Sequence, residues 1–207
     1  MSILYEKIEL DDSHYINIYY DEFSDSPRQW DPQTKICIKE YREYTFPNEL
    51  NINFDDLDNE DIYGTDKDWK DITIADKEKE KLKGYHVYAM DCYIHSWVSF
   101  SLRGYGIQCA FDTSSNCWYF CVPEEMGTRE ECTKIAEEQI NMYNQYINWD
   151  VYFFKLMESF PPIEKDGKTY YAKDEEIECE CTSEYYDLKE IAENIPQEYK
   201  EVFLKNI

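Results

Sequence analysis

From Thr128 onward the sequence commits to a helix. Thr128 followed three residues later by Glu131 is the capping-box spacing, in which each side chain reaches the other's backbone amide, and Cys132, Ile135, Ala136, Ile140, Tyr143 and Ile147 then recur along one face. The pattern predicts an amphipathic helix over 128–148, and such a stripe needs an apolar surface to lie on. Strands are expected to supply it. Residues 85–90, 97–102 and 117–122 alternate or run apolar, with Gly104 and Gly106 marking a turn or bulge, and 151–158 (VYFFKLME) reads as a buried strand.

The flanking segments fill in the class. Residues 15–20 (YINIYY) read as a strand ended by the turn Ser24-Asp25-Ser26-Pro27, and a second strand is expected from Thr34 through Ile36, Cys37 and Ile38 towards Pro47, making a hairpin-like unit over 15–45. Residues 75–83 suggest a short charged helix ended by Gly84. Residues 168–172 and 176–181 suggest a hairpin around Asp166-Gly167. Leu188, Ile191, Ala192 and Ile195 suit a short helix, and Pro196 opens a last one through Phe203 and Leu204. Strands and helices without regular βαβ alternation indicate α+β: an antiparallel sheet packed against one long amphipathic helix, with short C-terminal helices. The expected organisation is one domain over 1–207, with an acidic, insertion-like segment at 48–76.

Charge sets the surface. Forty-five Asp and Glu against twenty-one Lys and Arg give a net charge of −24, yet 20 Tyr, 10 Phe and 5 Trp provide buried area enough to favour folding over disorder. No stretch approaches the roughly 20 apolar residues of a membrane span. Residues 1–10 are acidic and carry no apolar run, so the eight cysteines are expected to be reduced thiols, several packed as small apolar groups, in a cytoplasmic protein.

A surface this negative repels free nucleic acid and anionic membranes and attracts Lys/Arg-lined grooves, so the expected partner is a protein with a basic groove. The first candidates are Asp55, Asp56, Asp58, Glu60, Asp61, Asp66 and Asp68, interleaved with the aromatic anchors Tyr63 and Trp69. Asp174, Glu175, Glu176, Glu178 and Glu180 form a second cluster. Carboxylates spaced on a rigid surface can stand in for phosphates; equally, both clusters can be solvated surface that keeps the chain soluble.

Chemistry offers weaker alternatives. Asp21, Glu22, Asp31, His95 and Asp112 could converge as carboxylate metal ligands with a histidine base. Cys117-x3-Cys121 and Cys179-x-Cys181 place thiols at strand spacing for a zinc site, or for core packing. Arg28 and Trp30 form either an interaction hot spot or a structural corner, with Arg28 paired to a carboxylate and Trp30 buried. No Walker loop, HExxH, GxSxG or dinucleotide fingerprint is present, and no cofactor is called for.

Three segments resemble a family of small proteins found largely in bacteriophage and prophage genomes. They are Ile18-Tyr19-Tyr20-Asp21-Glu22 with Pro27-Arg28-Gln29-Trp30-Asp31; His95-Ser96 with Phe111-Asp112-Thr113-Ser114 and the strand 117–122; and Tyr143, Tyr146 and Asp150-Val151-Tyr152-Phe153. Trp97 and Ser114 stand where that family's pattern has glycine. The resemblance implies a phage origin and a shared fold, and small acidic phage proteins resemble inhibitors of host nucleic-acid enzymes. The resulting expectation is a phage-encoded acidic inhibitor of a host defence or DNA-processing protein, of anti-CRISPR or anti-restriction type, acting in the bacterial cytoplasm. The alternatives are a metal-dependent enzyme or metal-binding protein centred on His95 and Asp112, and a phage structural or assembly protein.

Overall fold

The structure, a computed structural model, describes all residues except 1, 32, 40–44, 55–61, 66–70, 74–75, 115–117 and 180–183. The strands are β1 (Leu4–Glu9), β2 (His14–Tyr20), β3 (Lys35–Ile38), β4 (Ile62–Thr65), β5 (Asp71–Thr73), β6 (Tyr85–Ile94), β7 (Val98–Leu102), β8 (Thr113–Ser114), β9 (Trp118–Pro123), β10 (Tyr152–Glu158), β11 (Ile163–Lys165), β12 (Lys168–Tyr170) and β13 (Glu175–Ile177). The α-helices are α1 (Arg129–Ile147), α2 (Leu188–Ile191) and α3 (Lys200–Asn206). The fold is α+β, with antiparallel sheets and one helix of 19 residues. Contacts divide the chain into two compact units, Ser26–Asn144 and Met1–Asp25 with Gln145–Ile207.

In the unit Ser26–Asn144 the sheet order is β3-β9-β6-β7, with β8 also paired to β6. β6 reads YHVYAMDCYI, apolar almost throughout, because both of its faces are covered. On one face Val87 and Ala89, with Cys37, Tyr119 and Cys121, pack against Ile52, Phe54 and Leu82. Leu82 ends the 3₁₀ turn Asp76–Leu82, a tighter coil than the α-helix expected there. On the other face lies α1. The Tyr88 hydroxyl donates to the Arg129 carbonyl at 2.9 Å, and Asn144 exchanges two hydrogen bonds of 2.7 Å with the Phe100 backbone. The stripe read from sequence is the side of α1 that is buried: Cys132, Ala136, Ile140 and Tyr143 are all enclosed. At its start the Glu131 carboxylate accepts from the Thr128 amide and hydroxyl, both at 2.8 Å, so the capping box forms as predicted. Gly127, at φ +148°, leaves the room: a Cβ there would sit 2.8 Å from that carboxylate.

The unit Met1–Asp25 with Gln145–Ile207 holds the sheet β1-β2-β10-β13. Ile16 and Ile18 of β2 and Phe154 and Leu156 of β10 point to one face, where Ile191, Ile195 and Phe203 of the C-terminal helical segment close a core. Tyr15, Asn17 and Tyr19 point the other way and register against Met157, Lys155 and Phe153, with the Tyr19 and Phe153 rings stacked at 4.9 Å.

Two expected pairings are corrected. The strands of the predicted 15–45 hairpin do not pair: β2 lies between β1 and β10, while β3 pairs with β9. The sheet expected from 15–45 and 85–158 together is therefore two sheets. The local reason is Asp11, whose carboxylate accepts from the Ser13 and His14 amides at 2.8 Å each and closes a tight turn that gives β2 an upstream partner. Asp166-Gly167 does turn a hairpin, with both residues at positive φ, but it joins β12 to β11 rather than to 176–181. β13 instead extends the sheet beside β10. Among the described residues no helix is long and apolar enough to cross a membrane.

Candidate partner-binding site

The first acidic stretch can be placed only in part. Asp55, Asp56, Asp58, Glu60, Asp61, Asp66, Asp68 and Trp69 lie outside the described residues, whereas Tyr63 belongs to β4, which pairs with β5 in a two-stranded ribbon with an irregular register. Of the second cluster, Asp174 accepts a hydrogen bond from the Tyr15 hydroxyl at 2.5 Å and Glu176 meets the Lys155 ammonium at 2.5 Å. These two carboxylates hold β13 and its approach to the sheet. Glu175 and Glu178 are exposed, and Glu180 lies outside the described residues. The bond to Asp174 pushes the Tyr15 phenol up to about 12, with burial adding to it.

His95 and Asp112 do come together. The imidazole Nδ1 is 3.6 Å from the Asp112 carboxylate, beyond hydrogen-bonding reach, and the Cys109 thiol donates to that same carboxylate at 3.4 Å. The carboxylate thus faces both the thiol and the ring. Among the described residues no three His, Cys, Asp or Glu side chains are grouped to hold a metal ion. Asp21 and Asp31 instead close local turns: Asp21 accepts from the Phe23 amide at 3.1 Å, and Asp31 from the Gln33 amide and Thr34 hydroxyl. Burial pushes the Asp31 carboxyl up, but its bonds from Thr34 and Gln33 and the Arg28 charge outweigh this and hold it low.

Arg28 is the structural corner, with Glu49 as its carboxylate. Trp30 corrects the other half of that expectation, being 43% exposed. Cys121 packs in the core with Cys37, and the hydrogen bond between them together with burial pushes the Cys121 thiol well above its ordinary range. Cys179 is half-buried in the other unit, while Cys117 and Cys181 lie outside the described residues. Cys37, Cys92, Cys121 and Cys132 are buried free thiols.

Sequence reasoning missed the feature that most resembles a binding site. In the unit Met1–Asp25 with Gln145–Ile207, a cleft of about 320 Å³ is lined by Ile3, Tyr20, Asp21, Glu22, Asn148, Trp149 and Asp150. Trp149 is 64% exposed and sits at φ +64°, in the left-handed region. Its amide donates to the Tyr146 carbonyl at 3.2 Å and that of Asp150 to the Gln145 carbonyl at 2.8 Å, the pair of bonds that closes a helix in a Schellman cap. That position favours glycine, and a bulky aromatic there is an outlier. Burial pushes the Asp150 carboxyl above its ordinary value. The signal in the sequence was a tryptophan at the predicted helix end, where Gly or Asn is usual.

The chain matches no family model, no curated protein and no solved structure. Its reading rests on its own geometry. A larger cleft of about 580 Å³ lies in the other unit between Tyr88, Leu102 and the first turns of α1, but Arg129 already occupies its chemistry, stacking 4.6 Å from the Tyr88 ring centre and donating to the Val87 carbonyl.

Proposed function

We propose that the protein is a phage-encoded acidic inhibitor that binds a host defence or DNA-processing protein, presenting carboxylates to a basic groove built for nucleic acid. The observation that carries this reading is how the charge is disposed. Arg28, Lys81, Arg103 and Lys155 stand against carboxylates of their own unit, at Glu49, Glu78, Asp91 and Glu176, so these cations are already met within the protein and the excess of −24 remains on other carboxylates. The excess is carried on folded elements: Glu137 and Glu138 are exposed along α1, and Glu175 and Glu178 at the end of the four-stranded sheet. Carboxylates on a rigid scaffold steer a basic partner and set its register, and the groove's own counterions are released when they dock. The phage origin rests on the resemblance of the Pro27-Arg28-Gln29-Trp30-Asp31 segment and its companions.

The test is capture from host lysate by the tagged full chain, at about 0.1 M and about 0.5 M salt, with and without competing duplex DNA. The expected result is one nucleic-acid-binding protein, retained at low salt, released at high salt and displaced by the duplex. A retained protein indifferent to both salt and DNA, or no retained protein at all, overturns the reading.

A further inference from the structure

We infer that the cleft beside Trp149 receives the guanidinium of an arginine side chain from the partner. The cleft is concave, at the small end of the roughly 300–1,000 Å³ that ligand sites span. Its lining combines two aromatic residues, Trp149 and Tyr20, with three acidic ones, Asp21, Glu22 and Asp150, and among the described residues no Lys or Arg forms an ion pair with any of the three. Aromatic faces attract a cation, tryptophan most strongly, and a planar guanidinium can stack on a ring while its edge N–H groups reach carboxylates. One Asp21 oxygen is held by the Phe23 amide, which fixes the group while leaving its other oxygen. Asp150 is exposed as a residue, but partial desolvation of its carboxyl disfavours the anion, and a cation beside it would offset that.

The placement of Trp149 supports the same reading. The helix is closed by backbone hydrogen bonds that glycine would make with less strain, yet the position carries the largest side chain and leaves most of it exposed. Large exposed aromatics set in a rigid frame are the usual anchors of protein interfaces. The identification of the donor as a protein partner rests on the acidic-inhibitor reading; the chemistry of the cleft does not.

The experiment titrates the full-length protein with N-acetyl-arginine methylamide and, separately, with its uncharged isostere N-acetyl-citrulline methylamide. The readout is the Trp149 indole N–H and Asp150 amide resonances by NMR. The arginine compound is expected to shift both and saturate, the citrulline compound to bind at least about tenfold more weakly, and Trp149→Gly to abolish the Asp150 shift without unfolding the protein. Asp150→Asn is expected to weaken binding while leaving the tryptophan in place. Equal response to both compounds, or an Asp150 shift that persists in Trp149→Gly, overturns the inference. An unresponsive cleft with DNA-competed capture retained would remove the arginine site alone; a responsive cleft without capture would remove the inhibitor reading alone.

Discussion

Arg28 and Glu49, 21 residues apart, meet in a two-pronged hydrogen bond, Nε to Oε1 and Nη2 to Oε2, both at 3.0 Å. The same guanidinium donates to the Thr34 hydroxyl at 3.1 Å and the Thr34 carbonyl at 2.7 Å, and Glu49 accepts from the Ile36 amide at 2.7 Å. This pair therefore ties the turn at Pro27–Gln29, the start of β3 and the segment after Pro47 into one corner. Only a planar fork with donors on both edges can do so.

Removing either member leaves the other charge with few replacements, since the Arg28 side chain is 7% exposed. Arg28→Ala is expected to destabilise the unit Ser26–Asn144 by about 3 kcal/mol, the low end for breaking a buried pair because Glu49 keeps some contact with solvent. Arg28→Lys should recover only part of this, lacking the fork. Urea midpoints of the two single variants and of the double variant with Glu49→Gln measure it; a double variant no better than the sum of the singles would mean the pair is not coupled.

The capping box gives a smaller, separable effect. Thr128→Ala removes the hydroxyl at the head of α1 and is expected to cost about 1 kcal/mol. The bonds from the Thr128 amide and hydroxyl hold the Glu131 carboxyl below its ordinary 4.5. A depressed carboxylate contributes stability above its unfolded value that is lost as pH falls through the folded one. The stability difference between wild type and Thr128→Ala should accordingly shrink below about pH 4.5 in acid titrations of the unfolding midpoint.

Local rules made α1, β6, β7, β9 and β10 legible, because in each the burial pattern is written in the spacing of a few large residues. The sheet and α1 even declare each other: Tyr88 of β6 and Phe100 of β7 need a cover, and the stripe from Cys132 to Tyr143 needs a floor. Strand pairing was not legible. YINIYY alternates equally well for any antiparallel neighbour, and LYEKIE carries too few apolar residues to be recognised as one, yet it is the strand beside it. The candidate site was hidden for a related reason, since its walls come from Tyr20-Asp21-Glu22 and Trp149-Asp150, more than a hundred residues away, and only the pairing of β2 with β10 unites them.

Tyr15 and Asp174 lie 159 residues apart and fasten the approach to β13 onto β2. Tyr15→Phe is expected to cost about 1.5–3 kcal/mol, the range for a hydrogen bond to a charged acceptor. The phenol, raised from 10.0 to about 12, favours the folded state in its neutral form. A raised value contributes stability fully present below the unfolded one and lost as pH rises through the folded one. The gap between wild type and Tyr15→Phe in chemical denaturation should therefore be constant from neutral pH to about pH 10 and close towards pH 12.

Trp149 sets stability against binding. At φ +64° a residue with a Cβ sits in a region that costs roughly 1 kcal/mol or more, and glycine escapes that cost. The ring is 64% exposed, so little buried area is lost on removing it. Trp149→Gly is expected to raise stability by about 1 kcal/mol, or Tm by roughly 2–4 °C for a chain of this size, whereas Trp149→Ala keeps the Cβ and should give no gain. Thermal melts of the two variants decide it. If the alanine variant gained as much as the glycine variant, backbone strain would not be the cause; if the glycine variant lost stability, the ring would be a packing residue rather than an exposed anchor. A more stable variant that no longer holds arginine is the outcome expected of a position kept for what it binds.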